Sequence, residues 1–211
     1  MSFFSKLLFY TGYLFSYMCP FKITYLYWML WQYLYTGWIS RFFYSFGQKT
    51  TIQSFSSLIG PQYISIGNFS LIGKRAVVTA WDKYKGDCFT PRIIIGNNVN
   101  IGDDCHITAI NRIEIGNNVL MGKKITITDN SHGKITKESV LLPPAIRSLY
   151  SPGEVIIEEG VWIGDKVTIL PNVRIGKNSI IGANSVVTSN VEGNCVYAGV
   201  PARKLKEIDK I

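Results

Sequence analysis

"IEEGVWIGDKVTILPNVRIGKNSIIGANSVV", residues 157–187, repeats an aliphatic side chain every six positions, at Ile157, Ile163, Ile169, Ile175, Ile181 and Val187. An amphipathic helix repeats its apolar positions at three and four, so this period excludes one. Short strands joined by tight turns fit instead. Each unit forms one flat side of a coil, with the aliphatic pointing inward, Gly or Asn taking the turn, and a small fifth residue in the crowded interior. Three units close a triangular rung, and stacked rungs pair their strands in parallel, so that each rung depends on its neighbours.

The same period runs upstream. Ile95, Ile101 and Ile107 fall six apart in "IGNNVNIGDDCHI", Ile115, Met121 and Ile127 do so in "IGNNVLMGKKITI", and Ile66 and Ile72 form an earlier pair. Two stretches break it: residues 79–92, "TAWDKYKGDCFTPR", and residues 129–155, which open with "DNSHG". Long insertions in a compact repeat are uncommon unless they carry function. The second holds His132, one of only two histidines in the chain; the other, His106, falls in phase just before Ile107.

Over residues 52–206 the chain resembles the hexapeptide-repeat acyltransferases, in particular the bacterial polysaccharide and sugar O-acetyltransferases. The resemblance implies a mainly β fold, a left-handed parallel β-helix that departs from the usual right-handed crossover. It divides the chain into a basic, aromatic, helical segment (1–48), a coil with two loop insertions (49–200) and a short C-terminal cap (201–211). It also implies direct acyl transfer from acetyl-coenzyme A to a sugar hydroxyl in surface-polysaccharide synthesis, by a homotrimer whose sites lie between adjacent coils.

Such transfer needs a base with a pKa near neutrality and donors placed for the developing oxyanion. His132 in "TDNSHG" matches the catalytic segment, and His106 is a cleft-lining alternative. Asp129 reads either as the group orienting the imidazole or as a turn-capping carboxylate. Asn130, Asn111 and Asp104 fall near positions that line the sugar pocket. The C-terminal "GANSVVTSNVEGNCVYAGVPARKLKEI" is similar to the coenzyme A segment: Ala183, Thr188 and Ser189 along the pantetheine, Arg203 and Lys206 at the phosphates. Asp165 stands where relatives often carry Ser or Gly. "AGVPAR" also reads as the turn out of the coil, with Pro201 ending strand geometry and Arg203 starting a capping helix. Trp162 reads as an outward packing residue. N-acetylation of an amino sugar and a non-catalytic trimeric scaffold are the rival readings. Hexapeptide coils resembling carbonic anhydrases need three zinc histidines, and the four cysteines show neither CxxC pairing nor metal-ligand spacing, so no metal is expected.

The net charge of +8 is unevenly placed. Residues 1–81 hold six basic side chains (Lys6, Lys22, Arg41, Lys49, Lys74, Arg75) and no acidic one, and 19 of the 28 aromatic residues precede Lys49. Basic and aromatic together point to a membrane face rather than to nucleic acid. Uncharged runs from Leu7 to Phe21 and from Ile23 to Ser40 leave three readings for residues 1–47: packing against the protein or a neighbouring subunit, lying in a membrane interface, or inserting. No small-residue cleavage site follows them. A cytoplasmic protein, at the inner face of the membrane, is the expectation.

Overall fold

The computed structural model describes residues 2–208 and winds most of them into a coil of three parallel sheets. The first face starts at Ser45–Phe46 and Ile64–Ile66 and ends at Arg174–Ile175; the second runs from Thr51–Ile52 to Cys195–Gly199. The third is built from Phe55–Ile59, Ala76–Ala80, His106–Ala109, Thr126–Thr128, Thr168–Ile169 and Val186–Val187. The stacked parallel rungs are those the repeat predicts, and the fold is the left-handed parallel β-helix that the resemblance implies.

Register explains the period. Ile52, Ile72, Ile101, Met121, Ile163 and Ile181 are paired neighbours up the second face, each at most 1% exposed. Ile107, Ile127, Ile169 and Val187 repeat this on the third. Each such burial is worth about 1.5–3 kcal/mol, so a rung stacked on its neighbours gains what an isolated rung cannot. The small fifth position is served by Ser179 and Ser185, whose buried hydroxyls donate to the carbonyls of Gly176 and Gly182 at 2.6 Å.

The turns divide the work between Asn and Gly differently from the expectation that either takes the strained angle. Asn98, Asn118, Asn178 and Asn184 adopt the left-handed conformation, with φ between 55° and 59°. The Gly after each aliphatic does not; it is small because the next rung lies against it. A Cβ on Gly102 would come 2.4 Å from the Gly122 carbonyl oxygen. Gly102→Ala is therefore expected to lose about 1–3 kcal/mol by overpacking. Gly12→Ala, in a helix with nothing within 4 Å, should gain up to about 1 kcal/mol from helix propensity. Thermal melting of the two variants reads the contrast.

Ahead of the coil lie two helices, α1 (Phe3–Met18) and α2 (Phe21–Ser40), separated by Pro20. Only the end of α2 is buried against the coil. Thr36 is buried and its hydroxyl both donates to the Ile52 carbonyl (3.1 Å) and accepts from the Ile52 N–H (3.0 Å), closing the open edge of the first second-face strand. Ile39 and Phe43 complete that end of the core. No residue of α1 is buried. No described helix is long and apolar enough to cross a membrane.

The C-terminal cap is not helical. Ala202–Glu207 returns as a strand antiparallel to Cys195–Gly199. A returning strand meets the unpaired N–H and C=O groups of the last second-face strand, which a helix starting at Arg203 would leave open. Residues 209–211 of the expected cap lie outside the described residues.

Candidate active site

Both insertions stand over the third face. The first folds as a hairpin of Lys83–Tyr84 and Asp87–Cys88; Tyr63 pins its start by donating to Asp82 Oδ2 at 3.0 Å. The second carries His132 on a two-stranded ribbon rather than a free loop: Ser131 pairs with Tyr150 and His132 with Leu149. A single helical turn, Lys137–Val140, follows, and Arg147 donates to the carbonyl of Leu142 just past it at 2.9 Å. The insertions touch. Tyr84 and His132 meet edge to face with ring centroids 5.8 Å apart, and Lys85 Nζ donates to the Ala145 carbonyl.

Between them lies a cleft of about 600 Å³. Its floor is the outward side of the third face, with Thr79, His106, Thr108, Thr126 and Thr128; Trp81, Tyr84 and the ribbon form its walls. Thr79 and Thr108 share a hydroxyl–hydroxyl hydrogen bond of 2.9 Å. Both histidines face this space. His132 is exposed, so its imidazole is reachable from the cleft. Partial burial lowers the His106 pKa, favouring the neutral ring. The buried Cys105 thiol behind it is pushed up to about 11 by desolvation, which makes it a poor nucleophile.

Asp129 is wholly buried. Its Oδ1 accepts from the Ile110 N–H (3.0 Å) and from Asn130 Nδ2 (2.9 Å), and its Oδ2 accepts from the Asn111 N–H (2.8 Å). The carboxylate thus caps the corner where the chain leaves the third face late, and both oxygens are engaged there. Of the residues matched to the sugar pocket, Asn130 lines the cleft. Asn111 lends its backbone to the Asp129 cap. Asp104 is held by Arg75 through two contacts of 2.7 Å, which lower its pKa. Neither lines the cleft with the histidines.

The residues matched to the donor lie lower on the coil. Asp165 and Ala183 occupy successive rungs of the corner between second and third faces, where Asp165 Oδ1 accepts from the Lys123 N–H at 2.8 Å. Thr188 and Ser189 follow the last third-face strand, at its other edge. Arg203 pairs in register with Ala198, which packs on Gly182 beside Ala183. Lys206 lies further along that strand. Within one chain, then, Ala183 and Arg203 share a corner while Thr188 and Ser189 stand across the face from them. Lys204 is tied to Glu192 and Glu207 at 2.7 and 2.9 Å, which raise its pKa. Arg203 and Lys206 have no carboxylate partner among the described residues, so the charges suited to phosphate are open. Trp162 points outward and is half exposed.

Reading by motif passes over the threonine floor and the two aromatic walls. A signal for the floor exists: Thr79, Thr108 and Thr128 each follow an inward aliphatic (Val78, Ile107, Ile127), so one outward column carries hydroxyls over three rungs.

Comparison with known proteins places this coil. Residues 154–189 match the bacterial transferase hexapeptide family (six repeats). The Escherichia coli K12 protein WbbJ, named for O-acetyl transfer in lipopolysaccharide biosynthesis, is 39% identical over 54% of this chain and 60% of its own length. The galactoside O-acetyltransferase of the same organism is 34% identical over 67% of this chain and 65% of its own length. The chain thus spans about three-fifths of the curated relatives it matches. Among solved structures, a mutant of AntD, an N-acyltransferase from Bacillus cereus in complex with dTDP-4-amino-4,6-dideoxyglucose and coenzyme A, superposes with a TM-score of 0.63. At 22% identity, covering 81% of this chain and 87% of that one, it shares the fold.

Proposed function

Proceeding from a coil whose repeat is that of the bacterial hexapeptide transferases, we propose that this protein is an acetyl-coenzyme A-dependent O-acetyltransferase that acetylates a sugar hydroxyl. The observation that carries the reading is the convergence of two insertions over a hydroxyl-lined cleft with His132 exposed in its wall. The relative named as a galactoside O-acetyltransferase supports the substrate class, and the coenzyme A bound in the AntD structure of the same fold supports the donor.

His132 takes the proton of the attacking hydroxyl as its oxygen bonds to the thioester carbonyl carbon. The carbon–sulfur bond then breaks, the proton passes to the departing thiolate, and an acetyl ester and free coenzyme A result. Trp81 and Tyr84 offer flat apolar faces to a sugar ring, and the threonines and Asn130 offer hydrogen bonds to its hydroxyls. On the donor side, Ala183 with Asp165 forms the corner for the pantetheine, Thr188 and Ser189 the opposite edge, and Arg203 with Lys206 the phosphate end. Because these two groups sit on different edges of one chain, a groove between neighbouring coils of a homotrimer accommodates both. The exposed aromatic helices and the acid-free first 81 residues fit contact with the inner face of the cytoplasmic membrane, and a role in surface-polysaccharide synthesis follows from that placement.

The test is incubation with acetyl-coenzyme A and a panel of sugars and amino sugars, with free thiol and acetylated product both measured. An ester, cleaved by hydroxylamine, supports the reading; an amide on the amino sugars, or no transfer at all, overturns it. In the same assay Arg203→Ala with Lys206→Ala is expected to raise KM for acetyl-coenzyme A on the order of a hundredfold, about tenfold per lost charged contact. Since neither side chain meets the reacting atoms, kcat should hold.

A further inference from the structure

Between α2 and the corner joining the second and third faces runs a groove of about 300 Å³, distinct from the cleft. Tyr25, Trp28 and Met29 line it from the helix; Gln53 and Lys74 line it from the coil. Lys74 Nζ lies 4.9 Å from the centre of the Trp28 ring. Its charged neighbours are otherwise engaged. Arg75 holds Asp104 at 2.7 Å; Asp103 accepts from the Lys74 backbone N–H at 2.8 Å and lies 4.0 Å from Lys123 Nζ. The Lys74 ammonium has no carboxylate partner among the described residues. The groove therefore combines apolar walls with one uncommitted cation, in a part of the chain that holds no acidic residue before Asp82.

We propose that this groove seats the phosphate and the first chain carbons of a membrane-held lipid phosphate that carries the acceptor sugar. The proposal rests on the transfer reading above and gives its acceptor a class: a glycolipid precursor rather than a free sugar. Three observations converge on that occupant. Apolar walls suit a hydrocarbon chain, and Lys74 suits a phosphate. The groove is lined along α2, where Phe21, Tyr25, Trp28 and Trp31 are each more than half exposed, so a chain leaving it along that face continues into a bilayer on which the helix lies. The groove also adjoins the cleft. Val77, three residues and at most about 11 Å beyond Lys74, lines the cleft and pairs with His106. A phosphate at Lys74 then stands on the side of the coil from which its sugar can extend toward the third face and the histidines.

Vesicle flotation with the full chain tests this. Phosphatidylcholine vesicles carrying a long-chain polyisoprenyl phosphate are compared with phosphatidylcholine–phosphatidylglycerol vesicles matched in surface charge. The expected result is tighter binding to the first, with the excess falling on the order of tenfold in Lys74→Ala and in Trp28→Ala. Lys49→Ala, a basic change elsewhere in the same segment, should reduce binding to both vesicles alike and leave the excess in place. Equal binding to the two vesicles, or an excess that survives both groove variants, overturns the proposal. So does a wild-type oligomer that falls apart in Lys74→Ala by light scattering, because the groove is then filled by a second copy. Acetyl transfer by the wild-type protein to a soluble short-chain glycosyl phosphate is read separately: its absence would sink the transfer reading, while an excess lost in Lys74→Ala would still establish the lipid-phosphate site.

Discussion

Replacing His132 by alanine is expected to cut kcat for acetyl transfer by about 10² to 10⁴, the contribution of a positioned general base, while the protein stays folded. The geometry justifies both halves. His132 is exposed in the wall of the cleft, on a ribbon whose pairing with Leu149 uses backbone groups that alanine retains. What the variant loses structurally is the edge contact with Tyr84, worth about 0.5–1.5 kcal/mol. Circular dichroism and melting should change little. KM for acetyl-coenzyme A should also hold, because the residues assigned to the donor sit on lower rungs and at the C-terminal strand. His106→Ala is the necessary partner experiment, since this second imidazole faces the same cleft. Its ring stands on the sheet floor, in register with Val77 and Thr126, and its loss should act on acceptor binding, raising the acceptor KM more than it lowers kcat. If His106→Ala abolishes transfer and His132→Ala does not, the two roles are exchanged and the base belongs to the coil.

The coil was legible because its physics is periodic. One aliphatic per face must point inward on every rung, so the inward column is written in the sequence at a fixed spacing, and Ile157 to Val187 state it without a gap. The cleft lies where that spacing fails, and His132 stands out in the sequence for the same reason: a break in a stacked repeat frees the chain from packing. Other features escaped because their causes are not periodic. The antiparallel return of Ala202–Glu207 depends on the open edge left by Cys195–Gly199, a property of the sheet and not of the residues in "ARKLKE". The glycines after each aliphatic read as turn residues, whereas their neighbour is the adjoining rung, 16 to 43 residues away in sequence. For Asn111 and Asp104 the resemblance points to the sugar pocket, while the contacts that hold them within this chain, a backbone bond to Asp129 for the first and Arg75 for the second, cannot be read from the motif. In each case the deciding contact was long in sequence and short in space.

Asp129→Ala and Asp129→Asn should separate the two roles that the sequence left open for this carboxylate. Between Ile107 and Ile113 the chain runs through Ala109, Ile110 and Asn111 before the first face resumes at Arg112, so the N–H groups of Ile110 and Asn111 turn away from the sheet ladder. Asp129 supplies acceptors to both from the next rung, and its Oδ1 also holds the amide of Asn130. Alanine leaves the buried Ile110 N–H and its neighbour unpaired, each costing about 1–3 kcal/mol, for a loss of roughly 2–5 kcal/mol. Asparagine is not a gentle substitute here: only one of its two terminal atoms accepts, and the other turns a donor toward a donor, so Asp129→Asn should lose nearly as much. Both variants loosen the corner that holds Asn130, leaving it mainly to its bonds with Thr128 and Thr108, and with it the start of the ribbon that carries His132. Assayed well below their melting points, they should therefore lose kcat while keeping KM for acetyl-coenzyme A. A carboxylate that instead held the imidazole directly would show the opposite split, with Asp129→Asn close to wild type in melting yet severely impaired in kcat. Melting and kinetics on the same two variants decide between the cap and the orienting group, because only the cap couples the loss of rate to a loss of stability in asparagine.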